Sequence, residues 1–336
     1  MSDIRHIWRL HLSVRLAKPL FGVEDALLAP ILFASLRGSA LSLGRLIELG
    51  AEPEAMDAHF RSAACWAALR TDASWLALLL DCGADLSHRD GDGWTPIMWA
   101  ANRGASEAAR FLAHNGADLN AQSRDGLTAA ALAIKGGHLG ILEALAAAGA
   151  DLALASSDGR SLCMIAAACG SVECLAFLAG QGANLNARNF AGETAAILAA
   201  RQGYVECLRL LAAAGADMDA QDHSRQSPVT EAAANERLDC LGFLASFGAN
   251  LNARGRWGGS AATDAARMGS LPCLALLARH GMDWSIRDRS NMDAQQIAQF
   301  EGHLDCVALI QAQLDRAEID NCMGPTKRSV GAAPRI

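Results

Sequence analysis

Asp92-Gly93-Trp94-Thr95-Pro96-Ile97-Met98-Trp99-Ala100-Ala101-Asn102-Arg103-Gly104, followed by Asn115-Gly116-Ala117-Asp118-Leu119-Asn120-Ala121, is one copy of a unit that returns at fixed spacing. Stepping by 33 residues gives Gly50, Gly83, Gly116, Gly149, Gly182, Gly215, Gly248 and Gly281. A second ladder runs Ala34, Ala67, Ala100, Ala133, Ala166, Ala199, Ala232, Ala265 and Ala298. A beat held over that many rungs specifies a repeat array, in which no unit buries its own apolar face and neighbours do it for one another.

Each unit reads as two helices and an extended turn. Thr95 before Pro96 places an N-cap ahead of a proline at the first helical position. Ala100 and Ala101 are small enough for neighbouring helices to approach closely. Gly104 supplies the left-handed C-cap. A second helix follows with Leu112 at its core, matched by Leu46, Leu79, Leu145, Leu178, Leu211, Leu244, Leu277 and Ile310. Gly116 ends it, and Asp118-Leu119-Asn120 runs out as a finger toward the next unit.

A repeat with Thr-Pro-x-x-x-Ala and Gly-Ala-Asp at this period resembles the ankyrin repeat over residues 27–322. The resemblance implies an all-α solenoid of stacked helix-turn-helix units with β-hairpin-like finger loops. Nine repeats then start near 27, 60, 93, 126, 159, 192, 225, 258 and 291. Residues 1–26 lie outside them, and Asp3 is the only acid before Glu24. This segment reads as a cap on the first repeat's apolar face, or as a targeting presequence or partner-binding arm. Residues 323–336 read as a disordered basic tail.

Several slots depart from the family pattern. Where the family places a histidine after Thr-Pro-Leu, this chain has Met98, Ala131, Met164, Ile197, Thr230, Thr263 and Gln296. Stacking is therefore expected to lean on apolar contact. The next slot changes from Leu132, Ile165 and Leu198 to Glu231 and Asp264, carboxylates that read either as a binding feature or as surface-exposed positions in a less ideal stretch. Arg225, Glu236 and Asn291 replace turn glycines, so residues 222–300 are expected to be the softer part of the array.

Composition narrows the function. A net charge of −7 argues against generic nucleic-acid binding. No apolar run approaches the ~18 residues of a membrane span. Of ten cysteines, Cys174, Cys207, Cys240, Cys273 and Cys306 fall on the repeat. Equivalent positions in stacked helices lie about 10 Å apart, beyond disulfide reach, so these read as small core residues of a cytoplasmic, reduced protein. The glycines follow the repeat and form no phosphate loop. No Ser/His/Asp set or metal-ligand spacing stands out, and His114 with His280, and His138 with His303, share helix-end slots. The chain therefore reads as non-enzymatic, with no cofactor or metal.

In arrays of this kind partners lie along a concave groove made by the first helices and the fingers. The two residues before the first-helix glycine should face that groove, and they include Arg37, Arg70, Arg103, Lys135, Arg201 and Arg267. The fingers add Arg124, Arg188, Arg254, Arg256, Arg287 and Arg289, beside Trp94, Phe190 and Trp257. The expectation is a monomeric protein-interaction module that binds an acidic protein surface through a basic, tryptophan-bearing face. Alternatives are a regulator or inhibitor of an enzyme or toxin, an effector adaptor, and nucleic-acid binding along the basic stripe. The resemblance also implies that Asn120, Asn186 and Asn252 could be asparaginyl-hydroxylation sites, against a plain turn-forming role.

Overall fold

The computed structural model describes residues 54–323, preceded by Ile47 alone. The N-terminal segment, most of the first repeat with Arg37, and residues 324–336 lie outside the described residues. Sixteen helices and no strand occur among the described residues. The chain divides into two compact units, Met1–Phe190 and Ala191–Ile336.

In the first unit the helices are α1 (Ala63–Ala67), α2 (Ser74–Asp81), α3 (Pro96–Arg103), α4 (Ser106–His114), α5 (Ala129–Lys135), α6 (Leu139–Ala147), α7 (Leu162–Cys169) and α8 (Val172–Gly180). In the second they are α9 (Ala195–Gln202), α10 (Val205–Ala213), α11 (Pro228–Ala234), α12 (Leu238–Phe247), α13 (Ala261–Met268), α14 (Leu271–Arg279), α15 (Ala294–Glu301) and α16 (Leu304–Met323). Within each unit odd-numbered helices pack on odd and even on even, giving a first-helix layer and a second-helix layer.

The core sits between those layers. The columns Leu79, Leu112, Leu145 and Leu178 in the first unit, and Leu211, Leu244, Leu277 and Ile310 in the second, are fully buried. Cys174 in one unit and Cys207, Cys240, Cys273 and Cys306 in the other are buried and in no disulfide. Burial pushes the Cys240 thiol up to about 11, so it stays protonated and behaves as a small apolar group. In the last described repeat the family's histidine slot holds Gln296, which is exposed, whereas Met98, Met164 and Ile197 in that slot are buried. Among the described residues the last helix pair thus carries a polar, exposed side chain in a slot that is apolar and buried in earlier repeats.

Local sequence sets the helix starts. Thr128, Ser161, Thr194 and Ser227 each accept a hydrogen bond from the backbone N–H three residues on, at 3.3–3.4 Å. Thr95 is a partial exception. It has extended N-cap geometry ahead of Pro96, but its buried hydroxyl finds no partner among the described residues, and its N–H points at Met98 Sδ, 3.5 Å away.

The fingers close as tight hairpins in which Asp90 N–H donates to Trp94 O at 2.9 Å and Asp222 N–H to Gln226 O at 2.9 Å. Their turn needs a positive φ. Gly93, Gly126, Gly159, Gly192 and Gly258 supply it, and Phe60, Arg225 and Asn291 hold the same slot at φ 60, 68 and 62°. Glu236 does likewise, at 55°, in the first-helix C-cap slot. The substituted turns therefore keep the glycine conformation instead of abandoning it.

Polar ladders join neighbouring repeats. Finger backbones bond at a spacing of 32 residues, as Arg124 N–H to Asp92 O at 3.0 Å and Arg289 N–H to Trp257 O at 2.8 Å. Gln122 donates to Gly126 O and Ala155 O at 3.1 and 2.8 Å, and Gln221 to Arg225 O and Arg254 O at 3.0 and 2.9 Å. Arg254 repeats this with Gly258 O and Arg287 O at 2.8 and 2.9 Å. Ser171, Arg237 and His303 bond back to carbonyls of the preceding first helix. Stacking here is not left to apolar contact: other slots make the inter-repeat bonds that the missing histidine would have made.

Candidate interaction face

In the first unit one slot of the first-helix layer holds Trp66, Trp99, Leu132 and Ile165. Trp94 and Trp99 lie with ring centroids 4.7 Å apart. Trp99 is aimed by its indole N–H, which donates to Asp90 Oδ2 at 2.9 Å, while Asp90 Oδ1 accepts from Asp92 and Trp94 N–H at 2.9 and 2.8 Å. Arg61 sits 4.3 Å from the Trp66 ring centroid and is held by Asp57 at 2.7 Å. Such a stack presents large, rigid side chains of the type favoured at interface centres.

Arg103 and Lys135 end the neighbouring helices α3 and α5, and Arg124 stands in the finger leading into α5. All three are exposed, and none has an ion-pair partner among the described residues. Arg70 differs: it lies over Trp75 at 4.6 Å with Asp72 3.6 Å away. Phe190 is 76% exposed, and its ring covers Gly159, where an added Cβ would meet it at 2.9 Å. Arg188 is exposed beside it, in the same slot as the ladder residues Gln122 and Arg254.

In the second unit the cations of this layer are not free. Arg201 donates to Glu231 through Nε at 2.9 Å and Nη2 at 3.0 Å, and through Nη1 to Glu193 at 2.5 Å. Asn235 Nδ2 gives Glu231 a further bond at 3.1 Å. The bidentate fork to Glu231, together with Glu193, holds the Arg201 guanidinium well above its ordinary range. Arg267 reaches Asp288 at 3.2 Å and Asp264 at 3.5 Å. Burial pushes the Asp264 carboxyl up to about 7, opposed by Arg267 and reinforced by Glu231 and Asp288.

Glu231 and Asp264 are 6% and 7% exposed, which corrects the reading of them as surface positions. They are buried acids opposite arginines. Glu193 and Asp288, the other halves of these pairs, were missed in the sequence. The signal was there: Glu193 replaces Trp94, Leu127 and Arg160 in a slot that opens the first helix, in the repeat that places Arg201 at that helix's end.

The predicted cations also fail to form one column. Arg70 and Arg103 share a slot, whereas Lys135, Arg201 and Arg267 occupy the slot before it, about 100° away around a helix. Arg256 and Trp257 are both exposed at a finger tip, with the guanidinium 5.4 Å from the indole centroid. Asn120 and Asn252 each accept from the N–H of the residue 31 positions on, at 2.8 and 3.0 Å, and so tie one finger to the next repeat.

No helix among the described residues is long and apolar enough to cross a membrane. A family model described as ankyrin repeats (3 copies) matches residues 31–123, 62–156, 115–189, 131–222 and 163–255. No curated protein matches the chain. Among solved structures, the crystal structure of human ASB11 ankyrin repeat domain aligns with TM-score 0.58 at 24% identity, covering 63% of this chain and 96% of that one, a likeness of fold. Period, paired helices, finger ladders and the matched repeats agree, and the chain belongs to the ankyrin repeat family.

Proposed function

We propose that this protein is a non-catalytic, monomeric protein-binding module of a reducing compartment. In this reading the first unit's first-helix and finger face grips an acidic protein surface. One observation carries the proposal: Arg103, Arg124 and Lys135 stand exposed without internal acids, close in the fold to the Trp94–Trp99 stack. An exposed cation beside a rigid aromatic selects carboxylates and speeds encounter with them. In the second unit the equivalent cations Arg201 and Arg267 are consumed by Glu193, Glu231, Asp264 and Asp288 and act as structure. Arg256 and Trp257 offer that unit a smaller finger-tip contact.

The test is affinity capture with the intact chain and with Arg103→Glu/Arg124→Glu/Lys135→Glu, read by mass spectrometry, with RNA and DNA shift assays alongside. A protein retained by the wild type and lost by the triple variant, at unchanged melting temperature, supports the reading. Equal retention removes it. Salt-sensitive nucleic-acid binding lost in the same variant would reassign the face to nucleic acid.

A further inference from the structure

The second-helix layer of the second unit carries a groove of about 630 Å³ over α10, α12 and α14. One residue opens it. Gly242 sits in the middle of α12, where glycine is a poorer helix former than alanine. The same slot holds Ala77, Arg110, Glu143, Ala176, Arg209, Ala275 and Ala308 in other repeats. Packing does not demand the glycine: an added Cβ would meet Cδ1 of Leu276 at 3.2 Å, the end of a flexible side chain, with nothing else within 4 Å.

The floor is apolar, formed by Val205, Leu238, Phe243 and Leu276, and exposed Phe247 extends it with its ring 5.8 Å from that of Phe243. Two arginines, Arg209 and Arg279, line the groove with His280 and one acid, Asp239. The Arg209 guanidinium stands 5.0 Å from the Phe243 ring centroid, which holds it over the groove. Its neighbour Glu206, 3.4 Å away, is an exposed i,i+3 partner, a weak pairing that a second carboxylate can exchange with.

We propose that this groove is a docking site for an acidic segment of a partner protein, which seats an apolar side chain over Gly242 and sets carboxylates against Arg209 and Arg279. Arg279, in no ion pair among the described residues, and Arg209, whose one partner is an exposed glutamate, stand beside an apolar recess and favour that chemistry over a basic or purely polar segment. The site lies on the second helices, so its loss and the loss of the first-helix face are separable.

The probe is a fluorescein-labelled peptide with a central Leu-Phe pair flanked by glutamates, followed by anisotropy against the intact chain. Two controls replace Leu-Phe by Ser-Ser and the glutamates by lysines. Gly242→Leu fills the recess and Arg209→Glu/Arg279→Glu reverses an exposed rim, with melting temperature checking the fold of each. We expect the acidic apolar peptide to bind, to weaken at least about tenfold in either variant and in either control peptide, and to be unaffected by Arg103→Glu/Arg124→Glu/Lys135→Glu. No binding up to about 1 mM, equal binding of the Ser-Ser or lysine peptide, or unchanged affinity in both folded groove variants would overturn the proposal.

Discussion

Replacing Arg201 by alanine isolates the energetics of the second unit. The substitution removes three charge-assisted hydrogen bonds at 2.5, 2.9 and 3.0 Å. It leaves Glu193 and Glu231, whose side chains are 11% and 8% exposed, facing each other without their cation. Breaking a buried pair from one side costs about 3–5 kcal/mol. The low end applies, because Arg201 is itself 30% exposed and Asn235 still bonds Glu231, so about 3 kcal/mol is expected near pH 7.5.

The companion triple variant Arg201→Met/Glu193→Gln/Glu231→Leu should stay within about 1 kcal/mol of wild type, since apolar replacement of a buried ion pair is often neutral. Repeat arrays can unfold in stages, so urea denaturation is paired with hydrogen exchange read at α9 and α11. A loss below about 0.5 kcal/mol would refute the reasoning.

Five further outcomes follow from the same geometry. Asp264 is pushed up to about 7 on folding, so the folded chain holds a proton that the unfolded chain releases between roughly pH 4 and 7; stability falls as pH rises through that window, and urea midpoints of Asp264→Asn should lose that slope. Arg225→Gly and Asn291→Gly relieve left-handed strain at φ 68 and 62° and should each raise stability by about 1 kcal/mol in thermal melts. Gly126→Ala should lose more than that, because its Cβ would fall 2.3 Å from Ser157 N. Exchange across residues 222–300 should run faster than across 93–220, owing to the strained Arg225, Glu236 and Asn291 turns. Gln221→Ala removes two finger bonds and should cost about 1 kcal/mol in urea denaturation.

The repeat geometry was legible because it is a one-dimensional signal. A glycine or alanine every 33 residues names its own stacking partner, and the positive-φ slots could be read even where Arg225, Glu236 and Asn291 fill them. The charge pairing was not legible in the same way. Arg201 meets Glu231 thirty residues on, from the end of one first helix to the middle of the next, a diagonal between slots that a column-by-column reading passes over. Arg254 and Arg287 illustrate a second limit. Composition marks them as cations, whereas their guanidinium groups donate to finger carbonyls, the same job that uncharged Gln122 and Gln221 do elsewhere. Thr95 shows a third: residue type and spacing predict its cap, but its hydroxyl finds no partner among the described residues and its N–H turns to Met98 Sδ.

The most direct test of the binding face is calorimetry of a captured partner against wild type and Arg103→Glu/Arg124→Glu/Lys135→Glu, at low and at physiological salt. The account predicts affinity that falls with salt and drops at least about tenfold in the triple variant while the melting temperature holds. Affinity indifferent to both salt and charge reversal would contradict it.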